Sequence, residues 1–291
     1  MGLQCFIDYP LKDLVPHIDW TPFFHTWELK GSYPKILNDI EKGVEAKKLF
    51  NDAQVMLEKL ISEKWISAAG VVQLFPANSV NDDDVEIYTD EERHKVAATL
   101  CFNRQQQEKP PSRPNQCLAD FVAPKESELQ DYVGLFAVTA GIGIDEHVKR
   151  FEEVHDDYSP IMLKALADRL AEAFAEHMHE KVRKETWSYA KSEDFTNAEL
   201  VKEQYAGIRP APGYPANPDD TKKDKLWSLL DVQKRTGISI TEHFAMLPTA
   251  SVSGMYFSHP DSKYFAVGKI ARDQVESYAE RKNMSVETVE R

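Results

Sequence analysis

A chain of 291 residues, 42% hydrophobic and 29% charged, has the make-up of a soluble globular protein, long enough to bury a core without disulfide or metal staples. Its formal net charge of −13 argues against nucleic acid, whose phosphates require a basic face. The three cysteines, Cys5, Cys101 and Cys117, make no CxxC pair or metal knuckle, and no apolar run reaches the roughly 18 residues that span a bilayer; the reading is a reduced, cytoplasmic protein with no membrane partner.

Residues 1–10 lack the basic and apolar regions of a signal peptide. Residues 50–61 place Val55, Leu57, Leu60 and Ile61 at helical spacing. Residues 70–75 read as a buried strand closed by Pro76. Residues 86–88 and 98–103 read as two more strands, the first entered through an Asn81-Asp82-Asp83-Asp84 turn. Residues 104–115 are polar, carry three prolines and form a surface loop. Residues 117–123 and 132–139 are apolar and strand-like. The clearest helix covers 159–189: Ser159 caps it, Pro160 fits its first turn, and Met162, Leu166, Leu170, Ala173, Phe174 and Val182 recur at helical spacing. A shorter helix covers 197–205. Residues 209–220 hold four prolines and one glycine, which excludes regular structure. Strands are expected over 238–246, 255–258 and 264–270, the last two as an antiparallel pair about the His259-Pro260-Asp261-Ser262 turn. Residues 285–290 look like a helix just begun, as at the cut end of a longer chain. No regular β-α-β alternation is present, so the predicted class is α+β, a mostly antiparallel twisted sheet with surrounding helices.

The most informative stretch is Gly207-Ile208-Arg209-Pro210-Ala211-Pro212-Gly213-Tyr214-Pro215. Its prolines fix φ, so the loop is stiff and loses little entropy on meeting a ligand. Gly213 admits close backbone approach, and Tyr214 offers a flat face with a hydroxyl. Arg209 at the entrance can fork a carboxylate or phosphate. These residues fit either a small-ligand or partner contact, or a structural crossover with a surface arginine.

The motif RPAPGYP, followed by Pro218 and Thr221, resembles the S-adenosylmethionine motif of the C-terminal activation domain of cobalamin (vitamin B12)-dependent methionine synthase. DWTPFF from Asp19, GVV from Gly70 with FPAN from Phe75, CLADFVAP from Cys117, HDDY from His155, KALADRLAEAFAE from Lys164 and SKYFAVGKI from Ser262 resemble that family in the same order. The resemblance implies one S-adenosylmethionine-binding activation domain over 1–291, part of a longer enzyme. Arg209 would take the methionine carboxylate and Asp19 the amino group. Tyr264 and Phe265 would hold the adenine end, Ala211 would give backbone contacts, and Tyr214 would lie near the methyl and the corrin face. Glu172 and Glu203 would reach the cationic ligand directly or through water. No residue is assigned as catalytic and none as a metal ligand. Asp220 stands where the family often carries a histidine.

The implied role is to present the methyl of S-adenosylmethionine to cobalamin held by a partner domain, after one-electron reduction by a flavodoxin-like protein or flavoprotein reductase. Zinc belongs to other parts of the full methyltransferase. A self-contained Rossmann methyltransferase is the alternative: a strand at 136–140 runs into Gly141-Ile142-Gly143, though a third glycine at the right spacing is missing. A purely structural interaction domain is a third reading. Read without the family, Asp19 is a helix cap, Tyr264 and Phe265 are core strand residues, and Glu172 lies on a solvated helix face. His177 and His179 with Glu180 do not make a metal site together, because positions i and i+2 of a helix point apart. His155-Asp156-Asp157 precedes a helix, where acids favour the dipole. Lys181, Arg183 and Lys184 form the densest basic cluster and are expected to meet an acidic electron donor.

Overall fold

A computed structural model describes residues 2–290. In chain order it contains β1 (Gln4–Tyr9), the short helices α1 (Leu11–Leu14) and α2 (Thr21–Thr26), then α3 (Gly43–Ser62). The strands β2 (Ser67–Val80), β3 (Asp84–Tyr88), β4 (Val96–Cys101) and β5 (Asp131–Ile142) follow. After them come α4 (Ile144–Glu153), the long α5 (Tyr158–Lys181), α6 (Asn197–Leu200), α7 (Lys222–Leu230) and α8 (Val232–Thr236). A small hairpin of β6 (Ser239–Ile240) and β7 (Met246–Leu247) precedes β8 (Ser251–Tyr256), α9 (Arg272–Lys282) and α10 (Val286–Val289).

The main sheet runs β4-β3-β2-β5-β8, with β1 also on β2, and each of its pairings is antiparallel. This is the expected α+β architecture. It removes the Rossmann alternative: β5 runs antiparallel to both neighbours, and Gly143 (φ 89°) serves only as the left-handed entry to α4.

Period-two alternation decides the layering. Val72 and Leu74 of β2, Phe136 and Val138 of β5 and Tyr256 of β8 face one core with α3 and α5. Val71, Phe75, Val133, Leu135 and Met255 face a second core with α7 and the start of α8. Both sides are buried, which explains why the long strands read as continuous apolar runs.

Several boundaries differ from the sequence reading, each for a local reason. Val55 points outward, 57% exposed, while Leu49, Ala53, Leu57 and Leu60 carry the buried stripe of α3. Pro76 does not end its strand: it lies within β2, between the β1 partner of Val72 and the β3 partner of Ala77, where that edge pairs with no strand. The cap position of α5 is Asp157, and the carboxylate of Asp156 just before it accepts the N–H groups of Tyr158 (3.0 Å) and Ser159 (2.9 Å), so Ser159 is inside the helix. That helix ends at Lys181 and continues as a π-turn, Val182–Thr186. Residues 117–123 are a 3-10 turn, Leu118–Phe121, closed by Asp120 accepting from the Cys117 N–H at 2.8 Å. The helix expected over 197–205 stops at Leu200, and the strand expected over 238–246 is the β6–β7 hairpin. Residues 264–270 form no strand. Residues 208–210 occupy the outer edge of β8 instead.

Candidate ligand site at the edge of the sheet

The proline-rich segment is docked on β8. Ile208 and Phe257 exchange backbone hydrogen bonds, both 3.0 Å, and the Met255 N–H donates to the Pro210 carbonyl at 3.1 Å. The prolines lack N–H groups, so the segment can accept from the edge without offering an outward row of donors. Gly207 enters it at φ 83°, where a Cβ would sit 2.7 Å from the Phe257 carbonyl oxygen; only glycine fits.

Alternation then sends Ile208 into the second core and Arg209 to the other face, toward α5. There the guanidinium is held on several sides. Its Nη2 lies 2.7 Å from a Glu176 carboxylate oxygen, and its Nη1 donates to the Tyr205 hydroxyl at 2.8 Å and meets His179 Nδ1 at 3.3 Å. The Arg209 N–H donates to the Tyr264 hydroxyl at 2.9 Å. Arg209 remains 20% exposed and Glu176 only 9%, so the arginine is braced from beneath and open above. Burial is the largest influence and opposes its charge, but Glu176 and the neighbouring tyrosines Tyr205, Tyr264 and Tyr256 together outweigh it and hold the guanidinium protonated. His179 is wholly buried and neutral, pushed well below the usual value by burial and then by Arg183 and Arg209, so its Nδ1 can accept.

Behind this contact lies a second arginine. Arg183 is fully buried, donates through Nε to Glu193 at 2.8 Å, and stacks over the Tyr205 ring at 4.3 Å. The expectation that Lys181, Arg183 and Lys184 form a basic docking patch is therefore corrected. Arg183 is interior, and the two lysines pair with Glu185 (2.5 Å) and Glu180 (3.2 Å).

Of the residues expected at the site, several converge. Glu172 lies one turn before Glu176; burial raises its carboxyl above the usual range, against the pull of Arg169 and Arg209. Glu203 is raised for the same reason and is likewise opposed by Arg209. Tyr214 is 59% exposed, and its phenol is raised by burial and then by Glu172. Ala211 is half-buried in the same loop. Asp19 accepts from the Thr21 N–H at 2.9 Å, the cap-like role, and its neighbour Ile18 accepts from the Asn197 side chain at 3.0 Å. Phe265 packs edge-on to Phe121, centroids 6.3 Å apart, on the second core. Asp220 accepts from Lys223 at 2.6 Å and lies beside Gly213. Sequence reasoning missed Glu176, His179 and Tyr205. The available signals were spacings: Glu176 is four residues after Glu172 on α5, and Tyr205 four before Arg209.

Residues 10–283 match the family described as vitamin B12 dependent methionine synthase, activation domain. The chain belongs to that family. Among solved structures, it is 58% identical to a protein described as the MetH reactivation domain bound to AdoHcy, covering 100% of this chain and 88% of the other, with a TM-score of 0.96. Membership of the activation-domain family accounts for the antiparallel sheet and makes a cobalamin-binding domain of methionine synthase the expected neighbour. Among the described residues no helix is long and apolar enough to cross a membrane.

Proposed function

We propose that the chain binds S-adenosylmethionine at the exposed side of Arg209 and presents its methyl group for reductive reactivation of methionine synthase, as one activation unit, residues 1–291, of a longer methyltransferase. The observation that carries the reading is the Arg209 guanidinium, braced by Glu176, Tyr205 and His179 yet open on one side. A pre-placed fork of that kind suits the methionine carboxylate. The 58% identical relative captured with AdoHcy supports the same ligand class here.

In this reading Asp19 takes the ligand ammonium. Tyr264, already fixed by the Arg209 N–H, and Phe265 border the adenine end, and Ala211 adds backbone contacts. Glu172 and Glu203 face the positive charge of the ligand. Tyr214, exposed at the loop tip, lies by the methyl. Reduced cobalamin, held by the partner domain, would supply the methyl acceptor, and S-adenosylhomocysteine would remain on this chain's Arg209 site. The electron comes from a flavodoxin-like protein or a flavoprotein reductase, in the cytoplasm. The chain's own residues bind and orient; none is assigned a bond-breaking role.

Calorimetry on the chain alone tests the reading. S-adenosylmethionine and S-adenosylhomocysteine should both bind without cobalamin, and Arg209→Ala should weaken binding by about 2–5 kcal/mol, roughly 30- to several-thousand-fold. Arg209→Lys should recover only part of that. An Arg209→Ala protein that melts normally and binds within about threefold of the original removes Arg209 as the anchor, since a solvated surface ion contact is worth under about 1 kcal/mol.

A further inference from the structure

We propose that His17, His177 and Glu180 bind a divalent transition-metal ion, zinc in the first place, on a face of α5 separate from the Arg209 contacts. Their donor atoms lie within 4.8 Å of one another. His177 and Glu180, at i and i+3, share a face of α5, and the Val15–His17 turn brings His17 against it. This differs from a His177–His179 pair, whose members diverge: His179 turns inward to Arg209 while His177 turns to His17.

The second observation concerns the ring nitrogens. His17 uses Nε2 on Glu180 Oε2 at 3.0 Å, and His177 uses Nε2 on the Tyr9 hydroxyl at 2.8 Å. In each ring the other nitrogen, Nδ1, is buried and has no hydrogen-bond partner. The two rings stand 4.7 Å apart, centroid to centroid. His177, tied through Nε2 to Tyr9 with Nδ1 uncommitted, is held as outer partners hold a metal-binding histidine, whereas on His17 the ligating atom is the Nε2 that faces Glu180 Oε2, the ion taking the place of the shared proton. Lys184 holds the other Glu180 oxygen at 3.2 Å, which turns Oε2 toward the histidines.

An N,N,O donor set suits zinc, cobalt(II) or nickel(II) rather than magnesium or calcium. A tetrahedral ion with bonds of about 2 Å keeps its ligands about 3.3 Å apart. His17 Nε2 and Glu180 Oε2, 3.0 Å apart, already stand at nearly that separation, and the His177 donor lies within 4.8 Å of both. The ion would tie the N-terminal turn to the long helix, and water would complete its coordination.

The test uses the whole chain, stripped of metal with a chelator. Titration with zinc chloride should show one saturable equivalent and a raised melting temperature. Cobalt(II) chloride should give the visible ligand-field bands of a low-coordinate site. His17→Gln and His177→Gln should each weaken zinc binding by roughly tenfold or more. His147→Gln, which alters a ring stacked on Trp65 elsewhere, should leave it unchanged. His17→Gln changes a side chain at the margin of the core and guards against misfolding in the His177 variant. No saturable binding to the unmodified chain, or binding that survives both substitutions, overturns the proposal. Neither result bears on S-adenosylmethionine binding, which calorimetry reads separately.

Discussion

Glu172 and Glu176 stand one turn apart on α5 and have opposite employment. Glu176 is spent on Arg209, whereas burial keeps the Glu172 carboxyl above its usual value of 4.5. A sulfonium cation beside Glu172 favours the ionised carboxylate, so binding should release a proton as pH rises from the ordinary carboxylate range through the raised value. Affinity for S-adenosylmethionine should climb over that window. S-adenosylhomocysteine, which lacks the sulfonium charge, should climb less, and Glu172→Gln should erase the difference. Parallel pH titrations of both ligands check this; identical slopes that persist in the variant would remove Glu172 from the cation's surroundings. The stiff loop around Arg209 was legible from its prolines, while the ligand role expected of Arg209 came only with the family resemblance. Glu176 was not legible, because a glutamate on an amphipathic helix reads as solvated until a remote arginine is laid over it.

At the level of elements, the joints that hold the site are made by buried charge. Asp219, just after the proline-rich loop, receives Lys282 of α9 at 2.6 Å, the Tyr278 hydroxyl at 2.5 Å and Lys222 of α7 at 3.3 Å. Burial alone would raise its carboxyl, but Lys222 and these donors hold it well below the usual 3.8. A depressed carboxyl adds stability above its unfolded value and loses it as pH falls through the folded one, so this joint should weaken only in strong acid. Lys222, chiefly through burial, is down to about 8. Asp219→Asn leaves two lysines, 3% and 7% exposed, without their counter-charge, and should cost about 3–5 kcal/mol in urea unfolding at neutral pH. A loss under about 1 kcal/mol would mean that water replaces the carboxylate. Such joints also explain the misread elements. Residues 264–270 carry strand-like side chains, yet the β8 edge is already taken by residues 208–210, and a strand needs an edge. Residues 117–123 are apolar because they plug the second core, and nothing in their composition reveals that they curl.

For the molecule as a whole, apolar runs without β-α-β order were enough to read an α+β fold. Strand order was not readable, because the long connection between β4 and β5 hides which strands meet, and β8 joins from more than a hundred residues beyond β5. The resulting sheet is unequal in its security. β2 is paired on both sides, by β5 along one edge and by β1 and β3 along the other, whereas among the described residues the outer edge of β8 is closed only by the segment that carries Arg209. One segment therefore both closes that edge and places the guanidinium. Without ligand, the amide hydrogens of Met255 and Phe257 should exchange with deuterium far faster than those of β2, because they need only the edge to open; a ligand that grips Arg209 adds its binding energy to the closed form and should slow both sets, β2 through the raised free energy of global unfolding. Ligand-free exchange of Met255 and Phe257 as slow as that of β2 would mean that the edge never opens on its own. The proline-rich segment is thus a latch on the last strand, and occupancy at Arg209 can be followed from the exchange of the sheet without observing the ligand.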